Sequence, residues 1–525
     1  MVSFIPLAVA LQAVMVSAMP ANVVSQPLKP ASTVVTDGKT SYLYALPQSL
    51  PASLASELAA LQGVPTGAAD GVPNTASKTV DSFTRTMTVE PVTFSPVPET
   101  PDIVSPSANF TDGSPGYRSV GYYGDWYVYA RNFTPQKIIS DQFTHLVIAF
   151  SDIMPSGEVF QVDTVQNYEK IYENNPSKEQ GATHGILEVL WKLKNENRNV
   201  KFMLGIGGWT YSEKKHFQMG CDTPEKRLVF AQSIARLVND MGLDGADIDW
   251  EYITNPDEAT MMVDMLKLTR QELDKLATTL GSERKFELSV AVSVDPVKIG
   301  NMNVVEMDKY LDFWNIMGYD YSGSWSTMTQ HAANMFPATD GSTAFSTVAG
   351  IEGYMALGVS PRKLTLGLPV FAHGFMGTDG FGKPFQHVGE GSYNGDMGFY
   401  EYRLLPRGPG YELYEDEKLY SAYIQNKNTR ELYSFDTPKI TKLKVEYMIQ
   451  RGLGGVMFWG LSGDIWTQDE NLIETAVRVM GRENFAKANN HVQYPTSKWA
   501  NIRKYDGIPM TPDHPIFDHR KQNSQ

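Results

Sequence analysis

Three carboxylates in one short apolar segment are the strongest candidates for chemistry in this sequence. The segment GLDGADIDWEY (242–252) carries Asp247, Asp249 and Glu251 at alternate positions. If the segment is a strand, the three side chains share one face, because side chains in a strand repeat with a period of two. Crowded carboxylates raise the proton affinity of at least one member, which a general acid needs near neutral pH. The spacing therefore predicts a catalytic site, with Glu251 at the strand's end and Asp249 and Asp247 progressively deeper.

Two other interpretations of the same segment are weaker. A Mg²⁺ or Ca²⁺ site usually takes oxygen ligands from several chain segments or from a glycine-containing loop, and no histidine lies nearby to suggest zinc. A solvated edge strand would not carry Ile248 and Trp250 on its other face within so apolar a neighbourhood. The sequence thus favours catalysis, and it predicts no metal and no cofactor. Asp244 has the opposite parity, and we expect it to be structural, anchoring the entry of the strand.

Short apolar runs alternate with longer amphipathic stretches from Ser119 onward. The stretches at 225–242 and 257–280 carry apolar residues at helical spacing. Strands interleaved with helices in this way are typical of an α/β fold of the (β/α)8 TIM barrel type, although counting alone leaves a doubly wound open sheet as an alternative. In a barrel the chemistry lies at the carboxyl ends of the strands, where we expect Glu251. The predicted strands are 119–124, 144–153, 200–208, 245–252, 286–294, 311–321, 363–372 and 454–461.

A long stretch rich in Gly, Tyr and Phe interrupts this alternation at residues 373–445. It lies between the seventh and eighth predicted strands and is too long for an ordinary loop, so we expect a small inserted α+β subdomain. Residues 467–481 are predicted to form the closing helix. The catalytic domain is therefore expected to span residues 116–485, and a polar C-terminal tail is expected at 486–525.

The N-terminal residues have a different composition. Residues 1–18 form an apolar run that ends in small residues, which is typical of a secretory signal peptide. Residues 19–115 are rich in Pro, Ser and Thr without sustained periodicity, which predicts a propeptide or a disordered linker. Sequons at Asn109 and Asn132 would carry glycans only in a secreted chain. We therefore expect a secreted, extracellular protein.

Bulk composition excludes several classes of partner. The chain has 525 residues, a formal net charge of −14 and no long basic block, which argues against nucleic acid and against anionic membranes as partners. The single cysteine, Cys221, permits no internal disulfide, and no adjacent histidine would activate it as a nucleophile. Cysteine usage alone would suggest the cytosol, whereas the N-terminus predicts secretion.

The acidic segment resembles the DGxDxDxE signature of family 18 glycoside hydrolases, the chitinases. Asp244, Gly245, Asp247, Asp249 and Glu251 all fall on the signature. Other segments between residues 118 and 504 are similar to motifs of this family, in the order that a barrel demands. The insertion resembles that of the subgroup with deep, tunnel-like clefts. The similar segments are GYY (121–123), GIGGWTYS (205–212), MGYDYSGSW (317–325), GGVMFWGLSGD (454–464) and YPTSKWANIR (494–503).

The resemblance implies a retaining hydrolysis of chitin or chitooligosaccharides in which the substrate's own N-acetyl group is the nucleophile. Glu251 would protonate the glycosidic oxygen and then act as base toward the incoming water. Asp249 would hydrogen-bond the acetamido N–H, Asp247 would share a proton with Asp249, and Tyr319 would orient the acetamido oxygen. We expect a monomer.

Six further residues are predicted to bind the substrate. Trp459 would form the hydrophobic floor beneath the reacting sugar, with Trp209 and Trp325 stacking on its neighbours, although large aromatic residues are more often core residues. Met317 would form a wall of the pocket or simply pack. Tyr123 would be either a core residue or a hydroxyl bonded to the deepest carboxylate. The full predicted set is Tyr123, Trp209, Met317, Asp320, Trp325 and Trp459.

Two positions depart from the family pattern. Gly205 replaces a serine that would help Asp247 to hold its proton, and His373 replaces an arginine that follows the seventh strand. Because Glu251 remains, we expect activity, with a reduced rate or a shifted pH profile as the consequence. A chitin-binding lectin on the same barrel is less favoured, because such proteins usually lose the glutamate. An endo-β-N-acetylglucosaminidase that acts on N-glycans by the same chemistry is a further alternative.

Overall fold

The structure, a computed structural model, describes residues 116–504 except 175, 282–284, 466–469 and 488, together with the strand backbone of 32–36 and 39–43. The chain divides into two units, Met1–Ser107 and Ala108–Gln525. In the first unit, the strands Ser32–Thr36 and Lys39–Leu43 pair antiparallel. The segment predicted as propeptide or linker therefore includes a short strand pair, whereas the predicted signal peptide (1–18) lies outside the described residues.

Eight parallel strands close into a barrel in the second unit. They are β1 (Arg118–Gly124), β2 (His145–Ile153), β3 (Lys201–Gly207), β4 (Gly245–Asp249), β5 (Glu287–Ser293), β6 (Phe313–Met317), β7 (Leu364–Pro369) and β8 (Gly455–Trp459). Each strand pairs with the next along the chain, and β8 pairs with β1 to close the ring. The predicted TIM barrel is confirmed, and the open sheet is excluded because β1 has a parallel neighbour on both sides. A short strand, Val159–Gln161, adds antiparallel to β2.

Helices follow most of the barrel strands. The long ones are α1 (Gly185–Glu196), α2 (Pro224–Met241), α3 (Pro256–Leu280), α4 (Thr347–Ala356), α5 (Pro438–Gln450) and α6 (Leu472–Met480). Shorter helices span Trp209–Glu213, His216–Cys221, Pro296–Gly300, Val304–Asp308 and Ala500–Arg503. Single helical turns at Asp125–Val128, Pro135–Lys137 and Ser140–Gln142 stand where a helix after β1 would be. No helix in the described part of the chain is long and apolar enough to cross a membrane.

The two helices that flank β4 begin with the same local pattern. Thr223 caps α2 by accepting a hydrogen bond from the Lys226 N–H, and Asn255 caps α3 by accepting one from the Glu258 N–H. In each case proline occupies the first helical position, where its missing N–H is no loss. Because Gly242 adopts a left-handed conformation (φ 68°) after α2, the chain can turn directly into β4. These signals fix both ends of the acidic segment.

The alternating residues of the strands form two separate apolar layers. Ala246 and Ile248 of β4 face the surrounding helices and belong to the larger core. The interior of the barrel holds a smaller core that includes Val120, Tyr122 and Met457. Asp247 and Asp249 have the interior parity, so the barrel wall itself turns these carboxylates inward.

The insertion is a five-stranded antiparallel sheet between β7 and α5. Its strands are Phe371–Met376, Phe399–Glu401, Tyr411–Asp416, Ser421–Asn426 and Glu431–Phe435. The predicted range of 373–445 therefore starts slightly late and extends into α5. That helix packs against α6 and is the barrel helix between β7 and β8, so the predicted range combines the inserted sheet with part of a barrel helix.

Asp244 lies at the start of β4 and joins three segments. Its Oδ2 accepts the Phe202 N–H at 2.7 Å and pairs with the Lys194 ammonium at 2.8 Å. Its Oδ1 accepts the His491 N–H at 2.7 Å, which ties the C-terminal tail to the amino end of the barrel. Both partners of the ion pair are fully buried. These contacts anchor the start of β4, which is the structural role expected of Asp244.

Candidate active site

The three alternating carboxylates lie together at the carboxyl end of the barrel. Asp247 and Asp249 belong to β4, and Glu251 follows two residues beyond the last of them. The interior-facing residues of β1, β5, β6 and β8 surround them. Each strand therefore contributes a side chain to the same enclosed space, which is the arrangement that TIM-barrel enzymes use for catalysis.

Asp247 is the deepest of the three and accepts three hydrogen bonds. Tyr122 donates its hydroxyl to Oδ2 at 2.7 Å, and Ser289 donates to Oδ1 at 2.5 Å. The Asn315 amide donates to Oδ1 at 3.1 Å. Burial raises the pKa of Asp247, while these three donors favour the carboxylate and oppose the rise. Asp247 is therefore a fully buried carboxyl group that three donors hold in place.

A further residue orients the Asn315 amide. Thr365 donates its hydroxyl to the Asn315 Oδ1 at 2.6 Å, so that the amide nitrogen faces Tyr122 and Asp247. Ser289, Asn315 and Thr365 were not among the residues predicted from the sequence. Asn315 and Thr365 are polar residues with interior parity in otherwise apolar strands, and that pattern is the signal that could have found them. Ser289 shares its parity with Glu287 and Ser293, so the pattern is weaker there.

Asp249 has a buried oxygen that is free to accept. Its Oδ1 is buried and has no hydrogen-bond partner among the described residues. Burial raises the pKa of Asp249 well above its usual range, and the charges of Glu251 and Asp247 raise it further. A buried acceptor without a partner is uncommon in proteins, which suits a position that a substrate N–H fills.

Glu251 has the proton affinity of a general acid. Burial raises the pKa of Glu251 to about 7, and the charge of Asp320 adds to the rise. The Tyr252 hydroxyl, Lys298 and the Trp209 N–H act in the opposite direction by stabilising the carboxylate. A carboxyl group that titrates near neutral pH can donate a proton and later take one back.

Tyr319, Met317 and Trp459 line the same space. The Tyr319 hydroxyl donates to the Met457 sulfur at 3.5 Å, and burial with the nearby carboxylates raises its pKa well above the usual range. Met317 is buried in the interior core. Trp459 ends β8 and stacks on Phe150 with ring centroids 5.7 Å apart. A second ring thus packs against the face of Trp459, the residue predicted to form the aromatic floor.

The remaining predicted aromatic residues are on the rim. Trp209 is 57% exposed and Trp325 is 62% exposed, so neither is a core residue. Trp209 makes an edge contact with Tyr252, and Trp325 makes one with His373. Exposed rings near a polar cleft provide faces on which a sugar can stack.

His373 lies beside Asp320 on this rim. The His373 Nε2 is 2.7 Å from the Asp320 Oδ1. His373 also packs edge-on against Phe371 and Phe399 of the inserted sheet. The residue that departs from the family pattern thus links the insertion to a predicted substrate contact.

Tyr123 does not face the carboxylates. Its side chain is fully buried in the outer core, and its hydroxyl donates to the Phe133 carbonyl at 3.2 Å. The predicted hydroxyl contact with Asp247 is wrong for Tyr123 and belongs to Tyr122. The reason is strand parity, because Val120 and Tyr122 point into the barrel, and Tyr123 must then point out.

Gly205 pairs with Asp247 across β3 and β4. A Cβ at this position would lie 2.9 Å from the Ile148 carbonyl oxygen and 3.0 Å from the Val147 side chain. A serine would therefore be crowded here. Ser289 supplies Asp247 with a hydroxyl donor from the opposite neighbour, β5.

Many enzymes that cleave glycosidic bonds use a pair of carboxyl groups in a TIM barrel, one of which titrates near neutral pH. Comparison with known proteins agrees, and the chain is a glycoside hydrolase. It belongs to the family described as "Glycosyl hydrolases family 18", whose sequence profile matches residues 118–464.

The chain is similar to named fungal chitinases over most of its length. It is 35% identical to Chitinase 1 of Aphanocladium album, over 76% of this chain and 94% of that protein. It is 37% identical to Endochitinase 1 of Metarhizium robertsii, over 74% of this chain and 91% of that protein. A solved structure, the GH18 chitinase from Cycas revoluta in complex with (GlcNAc)3, is 26% identical with a TM-score of 0.59, over 69% of this chain and 100% of that one.

The charges around Glu251 predict opposite pH shifts for two variants. As the predicted general acid, Glu251 would have to be protonated to donate, so kcat/KM should fall as the pH rises through about 7. Lys298 lowers the pKa of Glu251 and Asp320 raises it. Lys298→Gln should therefore move the alkaline limb of the profile to higher pH, and Asp320→Asn should move it to lower pH. Initial rates on a soluble oligosaccharide across the neutral and alkaline range measure both shifts.

Lys309→Gln is the matched control for this pair. Lys309 is 55% exposed and pairs with Glu306 outside the cleft, so its loss should leave the alkaline limb in place. Shifts in the same direction for the Lys298 and Asp320 variants would contradict the assignment of the limb to Glu251.

Proposed function

We propose that the chain is a chitinase that hydrolyses β-1,4-linked N-acetylglucosamine polymers by a retaining, substrate-assisted mechanism. The proposal rests on two neighbouring carboxyl groups: Glu251 has a pKa of about 7, and Asp249 has a buried Oδ1 without a hydrogen-bond donor among the described residues. An acetamido N–H is a donor of the required kind. The names of the similar fungal proteins and the sugar bound in the Cycas revoluta structure support the same substrate class.

The first step transfers a proton and forms a ring. Glu251 gives its proton to the glycosidic oxygen, the bond from that oxygen to C1 breaks, and the acetamido oxygen bonds to C1. The product is an oxazolinium ion whose nitrogen carries positive charge. Asp249 accepts the N–H of this ion and stabilises its charge.

The second step restores the enzyme. Glu251, now a carboxylate, takes a proton from water, and the water oxygen bonds to C1 as the acetamido oxygen leaves. Two displacements at C1 retain its configuration. Asp247 receives a proton from Asp249 when Asp249 turns to the acetamido N–H, and it returns the proton afterwards. Asp247 can exist in both forms, because its three donors stabilise the carboxylate while burial favours the acid.

Tyr319 and the aromatic residues hold the sugar in these steps. The Tyr319 hydroxyl, which is bonded only weakly to the Met457 sulfur, is available to donate to the acetamido oxygen. Trp459 provides the floor beneath the reacting sugar, Met317 a wall, and Trp209 and Trp325 stack on its neighbours, with Asp320 as a further polar contact.

Product analysis on defined substrates tests the proposal. The protein should cleave soluble N-acetylglucosamine oligosaccharides, and proton NMR of the fresh products should show the β-anomer first. Release of glycans from a high-mannose glycoprotein, with no cleavage of the oligosaccharides, would instead indicate an endo-β-N-acetylglucosaminidase. An α-anomer as the first product would contradict the retaining mechanism.

Secretion and a monomeric state are part of the proposal. The apolar run at residues 1–18 supports export, but it lies outside the described residues. A polymer of the cell exterior is a fitting substrate for an exported enzyme.

A further inference from the structure

The backbone N–H of Glu251 lies beyond the hydrogen bonds of the barrel. The β4 pairing with β3 ends at Asp249, and its pairing with β5 ends at Ile248. The Glu251 N–H therefore needs another acceptor, since buried backbone donors are nearly always paired. Ser212 provides it, because its Oγ accepts this N–H at 2.9 Å. The Ser212 side chain is 3% exposed, so water does not compete for the bond.

The segment that carries Ser212 meets the end of β4 at further points. The Gly208 N–H donates to the Asp249 carbonyl at 2.8 Å, and the Ser212 N–H donates to the Gly208 carbonyl at 3.1 Å. The Trp209 N–H stabilises the Glu251 carboxylate and lowers its pKa. Residues 208–212 thus contact the Asp249 carbonyl, the Glu251 N–H and the Glu251 carboxylate.

This segment is itself held in one conformation. Gly207 has φ 101°, and a Cβ there would lie 2.3 Å from the Asp249 carbonyl oxygen. Glycine is therefore required for the close approach of the two chains. The tight turn brings Ser212 back over the end of β4 on the short helix Trp209–Glu213.

We propose that Ser212 is a positioning residue for Glu251, whose hydroxyl fixes the backbone from which the proton donor projects. This inference rests on the proposed role of Glu251 as acid and base. Ser212 touches no reacting atom, and it acts by keeping the carboxyl within reach of the glycosidic oxygen. Misplacement of a catalytic group by about 1 Å can lower a rate by about 10²-fold.

Ser212→Ala is the direct test, measured as kcat and KM on a soluble N-acetylglucosamine oligosaccharide. We expect kcat to fall by roughly 10- to 100-fold. KM should stay within about twofold, because it depends on sugar stacking that the change leaves intact. Ser212→Cys keeps the volume but accepts hydrogen bonds poorly, so it should lose kcat in the same way. Ser212→Thr keeps the hydroxyl and should recover most of the rate.

Ser233→Ala is the matched control. Ser233 is also 3% exposed, and its Oγ also accepts a backbone N–H at 2.9 Å, from Val159 outside the barrel. It should lower the thermal midpoint without changing kcat. Equal kcat for the wild type and the Ser212 variants would overturn the positioning role while leaving the proposed function intact. A wild type that cleaves no such oligosaccharide would overturn both.

Discussion

Glu251→Gln should lower kcat on soluble N-acetylglucosamine oligosaccharides by about 10²- to 10⁴-fold, the contribution that general acid–base catalysis usually makes. The amide keeps the size of the side chain but has no proton to give at pH 7. Substrate binding should survive, because the exposed rings of Trp209 and Trp325 are unchanged. Initial rates and the affinity for an uncleaved oligosaccharide separate the two effects.

The same variant should also change how stability depends on pH. Burial raises the pKa of Glu251 from 4.5 to about 7 in the folded protein, so the unfolded chain loses this proton first. Stability due to this group is therefore fully present below pH 4.5 and declines as the pH rises to about 7. Glutamine does not titrate, so Glu251→Gln should remove this decline, as measured by urea unfolding at several pH values.

Glu306→Gln provides the control for both measurements. Glu306 is 42% exposed and pairs with Lys309, so its amide variant should keep the wild-type rate and pH dependence. A Glu251→Gln protein that retains more than about a tenth of the wild-type kcat would exclude Glu251 as the acid, because general acid–base catalysis contributes at least 10²-fold.

The acidic strand was the part of the site most accessible from sequence. Alternation alone placed Asp247 and Asp249 on one face, and the apolar Ile248 and Trp250 on the other face argued against a solvated edge strand. The alternation of strands and helices predicted the barrel but left an open sheet as an alternative, which the pairing of β8 with β1 excludes. Both patterns depend on residues that are close in sequence, so they can be recognised without knowledge of the tertiary structure.

The partners of Asp247 show where local patterns end. Ser289, Asn315 and Thr365 belong to the three strands that follow β4, and they meet through the parallel pairing of neighbouring strands. Tyr122 of β1 reaches Asp247 across the interior, which requires the closed barrel. Tyr122 and Tyr123 are adjacent in β1 and lie on opposite faces. The face with Val120 and Tyr122 is similar in polarity to the face with Gly121 and Tyr123. Sequence polarity therefore could not indicate which tyrosine faces Asp247, and only the barrel geometry decides it.

The limits of the insertion are difficult to predict from the sequence for a related reason. Its strands begin at Phe371, directly after β7 ends at Pro369. A single apolar run in the sequence thus supplies two strands of different sheets. At the other end, α5 belongs to the barrel although only two residues separate it from the last strand of the insertion.

Asp249→Asn should lower kcat/KM by about 10²- to 10³-fold, the usual effect of removing one group that stabilises charge in a transition state. Asparagine retains an oxygen that can accept the acetamido N–H, but it carries no charge to oppose that of the oxazolinium ion. The change should also weaken a thiazoline analogue of the cyclised sugar by a similar factor, because the analogue resembles the state that Asp249 stabilises. Inhibition constants for the analogue, measured with kcat/KM, compare the two losses.

Asp264→Asn is the control, since Asp264 is 44% exposed and pairs with Arg227 on the outer helices. It should change neither constant. A loss of kcat/KM in Asp249→Asn without weaker binding of the analogue would mean that Asp249 acts only through the proton on Glu251. Parallel losses would mean that it acts on the substrate's acetamide, and the unpartnered Oδ1 of Asp249 would then be the atom that receives it.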